Sequence, residues 1–274
     1  MVRALWSGAS GMIAQQTNVD TIANNLANVN TVGYKTEQNE FKSLLYQEIQ
    51  TRTTTANGVN KPVSAQVGLG VRNSAITSEF SQGAFQASES TTSFAISGDG
   101  FFAVRNNGQT YYTRNGDFHF STGANNTLVL CTSDGNPVLD TTGNQISVSA
   151  NDYIVNRIQV SSDGQLLYPD ANNNMMPIAN TNPIGLYQFQ NPSGLYKVGS
   201  TLFQTTESSG AAINEATNAN VKKSEIYQGY LESSNVQVAD EMVNLIIAQR
   251  AYELNSKVIT TADSMLQVAN ELKR

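Results

Sequence analysis

The stretch that decides the fold is Val236–Arg274, VQVADEMVNLIIAQRAYELNSKVITTADSMLQVANELKR. It holds neither proline nor glycine, and its apolar residues recur at helical spacing. Ile247, Ala251, Leu254, Val258, Thr261, Met265, Val268 and Leu272 step alternately by four and three, with Thr261 the one polar member. That is a seam of period about 3.5. A helix of this length cannot bury such a seam against itself, so the stretch predicts a partner helix. Further upstream, Val243, Leu245, Ile246 and Ile247 present apolar side chains most of the way round the helix, as expected where more than one neighbour is to be met.

The first thirty residues supply the expected partner. Leu5, Ala9, Met12, Gln16, Val19, Ala23 and Leu26 keep the same alternation, broken only by Gln16. The opposite face is Asn, Thr, Ser and Gln, and Asp20 is the only charge between Arg3 and Lys35. A solvated helix normally carries many charges on its outer face; this one is expected to meet protein on both sides. Gly8 and Gly11 each cost roughly 1 kcal/mol relative to alanine in a helix interior, so the helix should depend on packing. Asn30 and Gly33 suit a helix C-cap.

Between the ends the pattern changes to period two. Phe94–Ile96, Phe101–Val104, Thr110–Thr113, Phe118–Phe120, Leu128–Leu130, Ile146–Val148, Ile158–Val160, Leu186–Phe189 and Leu202–Phe203 read as short strands. Asp99-Gly100, Asn107-Gly108, Asn115-Gly116, Asp134-Gly135 and Asp163-Gly164 favour tight hairpin turns between them. The expected fold is mixed α and β but segregated, an all-β central domain with N- and C-terminal helices paired as a coiled coil. The expected division is 1–30 and 235–274 for the helical domain, 31–90 and 207–234 for a connecting region with an extended loop at 46–63, and 91–206 for the β domain.

Hydrophobic residues make up 39% of the 274 and charged residues 14%, against a usual charged share of roughly 25%. Uncharged polar surface is desolvated against other protein at lower cost than charge, which suits extensive subunit contact and equally a secreted protein of low charge. The net charge is −6 and no basic patch is present, which argues against nucleic acid as a partner. Membrane insertion is not expected, because no run approaches 18 apolar residues. Ser7, Gly8, Ser10, Gln15 and Gln16 interrupt any signal-peptide core, so export is expected to proceed without a cleaved signal.

Catalytic signals are poor. Asp99, Asp117, Asp134, Asp140, Asp163 and Asp170 mostly flank glycine or asparagine, where acids serve turns. His119 alternates with Phe118 and Phe120 on a strand and has no nucleophile motif with it. The single Cys131 rules out an internal disulfide framework and a multi-cysteine metal site. Asp170–Asn174 lacks the EF-hand glycine and glutamate. Val67-Gly-Leu-Gly-Val71 lacks the Lys-Ser/Thr of a phosphate loop and reads as a bulge or turn. No catalytic, cofactor-binding or metal-binding residue is assigned. The competing function class is an exported β-domain module, glycan-binding or hydrolytic, on a helical stalk.

Two segments carry a resemblance. Asn24-Asn25-Leu26-Ala27-Asn28, followed by Thr31-Val-Gly33-Tyr34-Lys35, resembles the N-terminal signature of bacterial flagellar rod and hook proteins. Leu231–Gln267 resembles that family's C-terminal signature. Leu45-Tyr46-Gln47, Gly70-Val71-Arg72, Ser97–Phe102, Tyr112–Gly116 and Tyr227–Tyr230 place the resemblance nearest the distal-rod branch, with a proximal rod or hook-type subunit as the alternative within the family. The resemblance implies a non-enzymatic structural subunit of the flagellar basal body that polymerises into a hollow helical tube. Its implied partners are other copies, proximal rod and hook subunits or their adaptors, the type III export apparatus and surrounding ring proteins. The implied location lies beyond the inner membrane, in the periplasm or cell-wall layer. The implied assembly residues are Leu5, Met12, Val19, Asn24, Asn25, Leu26 and Asn28, with Met242, Leu245, Ile246, Ile247, Arg250, Tyr252, Leu254, Val258 and Met265. A tube-stiffening segment is implied at Tyr46, Gln47, Asn57, Gly58, Pro62 and Val63.

Overall fold

The computed structural model describes residues 2–50, 65–123, 126–170, 174–179, 181–218 and 220–272. They form two compact units. One joins Met1–Ala27, Glu37–Thr77 and Gln237–Arg274; the other joins Asn28–Thr36 and Ser78–Val236.

The first unit is built on two helices, α1 (Val2–Ala27) and α2 (Val238–Glu271), which pack along each other. At 1.5 Å per residue they are roughly 39 and 51 Å long. No side chain caps the start of α2, but Asp240 and Glu241 in its first turn face the positive end of the helix dipole. Beside α1, strand Glu37–Ser43 pairs with Val71–Ser78. Tyr46–Gln50 runs antiparallel to Ala65–Gly68 with an irregularity between Glu48 and Gln50. Within Val67–Val71 the backbone turns at Gly70, whose φ is +112° and whose α-carbon leaves no room for a side chain against Ser10 of α1.

Among its described residues the second unit is built of strands, with short 3-10 turns at Val155–Arg157 and Pro192–Gly194. A six-stranded antiparallel sheet runs in the order Tyr196–Gly199, Leu202–Gln204, Gln109–Thr113, Phe101–Asn106, Leu186–Gln188, Ile213–Asn214. Its central strand is apolar on both faces because both are covered. Phe102 and Val104 enter the larger core with Phe94, Phe118, Leu130 and Ile184. Phe101 and Ala103 enter a second core with Tyr112, Phe189 and Phe203. This explains the unbroken Phe-Phe-Ala-Val run in a region of period two. Phe101 meets Phe189 edge-on at 5.4 Å. Two three-stranded sheets follow, Ser147–Ser149 with Thr127–Thr132 and Phe118–Thr122, and Gln159–Val160 with Leu166–Pro169 and Met175–Pro177. Phe94–Ser97 pairs with Glu225–Gln228, and Phe85–Ala87 with Tyr230–Glu232.

The turn expectations divide. Asn107 and Gly108 both have positive φ, 49° and 81°, and join Asn106 to Gln109 as a two-residue hairpin. Asp134-Gly135 and Asp163-Gly164 also close tight turns, with Gly135 and Gly164 at positive φ and their N–H groups bonded back to Thr132 and Ser161. Asp99-Gly100 and Asn115-Gly116 do not make hairpins, because the strands on either side pair elsewhere. At Gly116 the glycine is required for space, since a Cβ would lie on the Phe94 carbonyl. A further two-residue hairpin at Ser200-Thr201, with φ of 49° and 57°, carries no glycine at either position. Nothing in the sequence pattern announced it.

Candidate assembly surface

α1 and α2 pair, but not along the seams that the apolar spacing picks out. On α1 the buried residues are Gly8, Gly11, Ala14, Thr21, Ile22 and Asn25. On α2 they are Glu241, Ala248 and Ala262, with Leu245, Asn255 and Ile259 half-buried in the same heptad register. Small residues let the two backbones approach closely. A Cβ on Gly8 would sit 3.1 Å from Ile259 Cγ1, and one on Gly11 would sit 2.8 Å from Asn255 Nδ2. A seam read from large apolar side chains misses such a contact, because glycine and alanine add little to hydrophobic periodicity while allowing the closest packing.

Asn25 fixes the end of α1. Its Oδ1 accepts from the Glu37 N–H at 2.9 Å, and its Nδ2 donates to the Glu37 carbonyl at 2.9 Å. The same Nδ2 lies 3.3 Å from Glu241 Oε1 on α2. One amide thus ties α1 to the following strand and to the start of α2. Burial holds the Glu241 carboxyl above its ordinary range, against the Asn25 hydrogen bond, which lowers it; nearby Asp240 adds to the rise. Asn24 Nδ2 reaches Glu37 Oε2 at 3.3 Å on the exposed side. Asn28 lies past the helix, in the β unit, where its Oδ1 accepts from Thr31 Oγ1 at 3.1 Å.

The predicted seam of α2 lies largely on the outside. Ile247 is 60% exposed and Leu254 63%; Met242, Ile246, Tyr252, Val258, Met265 and Val268 are also exposed. On α1, Trp6 and Ile13 project 69% and 68% exposed, whereas Leu5, Met12, Val19 and Leu26 are half-buried. Arg250 is exposed and bonds Glu253 Oε2 at 2.7 Å, one turn along its own helix. Gln16, Val19, Gln249, Tyr252 and Glu253 line an open groove of about 360 Å³ along the pair. Exposed apolar side chain is thus concentrated along α2.

Of the residues expected to stiffen a tube, Tyr46 and Gln47 lie on the exposed strand Tyr46–Gln50, beside exposed Leu45 and Ile49. Asn57, Gly58, Pro62 and Val63 lie outside the described residues. His119 is on the open face of its strand, 3.9 Å from Asp117. Cys131 is buried, which raises its thiol pKa. Among the described residues no helix is long and apolar enough to cross a membrane, and no three acids, histidines or cysteines are grouped to hold a metal.

Residues 5–35 match the family model "Flagella basal body rod protein", 95–168 match "Flagellar hook protein FlgE/F/G D1 domain", and 227–272 match "Flagellar basal body rod FlgEFG protein C-terminal". The flagellar basal-body rod protein FlgG of Borreliella burgdorferi is 43% identical over 281 residues, covering all of both chains. The chain belongs to the flagellar basal-body rod family. The FlgG proteins of Bacillus subtilis, 36% identical over the whole of both chains, and Caulobacter vibrioides, 39% identical over 99% of this chain, are also similar to it. In a rod-family chain, α1 and α2 are the segments where the N- and C-terminal family models fall. The exposed apolar residues of α1 and α2 therefore fall within segments that the family models match.

Proposed function

We propose that this chain is a distal-rod subunit that polymerises helically into a hollow, rigid shaft, carries torque to the hook and leaves a channel for exported subunits. The observation that carries the reading is the exposed apolar face of α2 together with Trp6 and Ile13 of α1, which the described residues leave uncovered. In the tube, neighbouring copies cover it. Leu5, Met12, Val19 and Leu26 border the intrachain pair and contribute from its edge. Proximal rod and hook subunits or their adaptors meet the ends of the tube, ring proteins surround it, and the chain reaches its place through the type III export apparatus.

Burying a leucine is worth roughly 1.5–3 kcal/mol, and a charge in its place leaves an unpaired ion in the interface. Leu254→Asp is therefore expected to abolish assembly and motility while the near-ultraviolet dichroism of the β unit stays unchanged. Motile cells carrying Leu254→Asp would remove the reading.

A further inference from the structure

α1 carries a protruding aromatic residue on one side and borders a groove on the other. Trp6, the only tryptophan of the chain, is 69% exposed, and Arg3, one turn before it, is exposed as well. Gln16 and Val19 of α1, with Gln249, Tyr252 and Glu253 of α2, line the open groove of about 360 Å³. At about 100° per residue, the buried stripe through Gly8, Gly11, Ala14, Ile22 and Asn25 divides the two. Trp6 and Ile13 lie to one side of it, Gln16 and Val19 to the other. Trp6 is also ten residues from Gln16 along one helix, about 15 Å, so it cannot reach the groove of its own chain.

The two sides match in chemistry. Val19 and the Tyr252 ring offer the groove apolar surface, while Gln16, Gln249 and Glu253 offer side-chain oxygens. An indole has a broad apolar face and one N–H that can only donate. The charges match too. Arg3 is a cation beside Trp6, and Glu253 is an anion at the groove. Arg250 occupies only its Oε2, and a carboxylate has room for further donors. The only other charge of α1, Asp20, follows Val19 at the groove end of the helix. The spacing agrees as well. α1 and α2 run antiparallel, with Gly8 against Ile259 and Gly11 against Asn255, so Glu253 stands level with Ile13. A second copy, parallel and shifted along the helices by about 15–20 Å, brings Trp6 level with Gln16 and Val19. The same shift brings Arg3 level with Glu253.

We propose that Trp6 of one copy seats in the groove of a second copy, with Arg3 against Glu253. This rests on the subunit role proposed above and adds the register at which copies meet. Knob and groove are different surfaces of one chain, so the contact is head-to-tail. Each copy added leaves a free knob at one end and a free groove at the other. Such a contact does not close as a two-fold pair does; it propagates, as a helical tube requires. Tryptophan and arginine are among the residues that dominate binding energy when buried at an interface, and here they stand one turn apart.

The test uses tubes assembled from the purified full chain. Arg3→Cys and Glu253→Cys are introduced together with Cys131→Ser, and the tubes are oxidised. Within one copy the two positions lie about 15 Å apart along the pair, beyond disulfide reach, so a bond can form only between copies. The expected result is a ladder of dimers, trimers and higher species on a non-reducing gel, absent from dilute, unassembled protein and from either single-cysteine variant. Tubes without cross-links overturn the proposal, and so does a product that stops at dimers. The unmodified chain gives a second readout through its single tryptophan. On assembly, Trp6 emission is expected to move to shorter wavelength and to lose its quenching by acrylamide. A Trp6 that stays accessible in the tubes overturns the proposal, whether or not the cysteine variant assembles. Failure of the unmodified chain to form any tube strikes the subunit role itself, and the contact falls with it.

Discussion

Gly11 offers the sharpest test of how the two helices meet. In an isolated helix, Gly11→Ala should stabilise by roughly 1 kcal/mol, because alanine loses less backbone freedom than glycine on folding. Here the new methyl would lie 2.8 Å from Asn255 Nδ2, 3.1 Å from its Cγ and 3.2 Å from its Oδ1. The amide must swing away, and because it is the end of a flexible side chain the cost falls at the low end of overpacking, about 1 kcal/mol. The propensity gain is then offset, and the net expectation is no stabilisation. In an Asn255→Ala background the obstruction is gone and the same substitution should gain about 1 kcal/mol. The two backgrounds should therefore differ by about 1 kcal/mol, within the range of coupling found for residues in contact. The assay is a double-mutant cycle on helix melting, followed at 222 nm in denaturant. If Gly11→Ala were equally stabilising in both backgrounds, position 11 would not face Asn255, and the small-residue contact would be wrong.

Three other outcomes are expected. Glu241 has its folded-state pKa raised, chiefly by burial, so its favourable contribution is complete below the ordinary carboxylate range and is lost as pH rises through the folded value. Glu241→Gln should therefore raise the melting temperature of the helix pair at pH 7 and change it little at pH 4, where the native carboxyl is already protonated; equal shifts at both would refute this. Thr201 is a β-branched residue at φ +57°, an uncommon and strained position, so replacing Ser200-Thr201 by Asn-Gly should stabilise the β unit by about 1 kcal/mol in urea denaturation; destabilisation would contradict the turn assignment. Deleting 46–63 should leave assembly intact but give a softer or curved tube under electron microscopy, and a straight rod would remove the stiffening role.

Much of this architecture could be read from the residues in order. The absence of glycine and proline after Val236 and the three-four spacing announce α2, and Asn107-Gly108 announces its hairpin, because backbone preference and side-chain period are local properties. The segregation of helices to the ends and strands to the middle follows the same way. The apolar face of α2 was legible as a seam, but its direction was not. Ile247, Leu254 and Val258 have the right period to pair with α1, and in the folded chain they point elsewhere.

What the sequence by itself determined is therefore the kind of each element and the presence of apolar faces too large for one chain to bury. What only the tertiary structure decided is which face closes inward. Gly8, Gly11, Ala248 and Ala262 win that choice because close approach of two backbones depends on what is missing from a side chain, and a missing atom has no periodic signal. The same holds for Lys35, Arg114 and Glu232. As single letters they are ordinary surface charges; they become a buried cluster only because folding brings together positions separated by up to 197 residues, and water is excluded from the place where they meet.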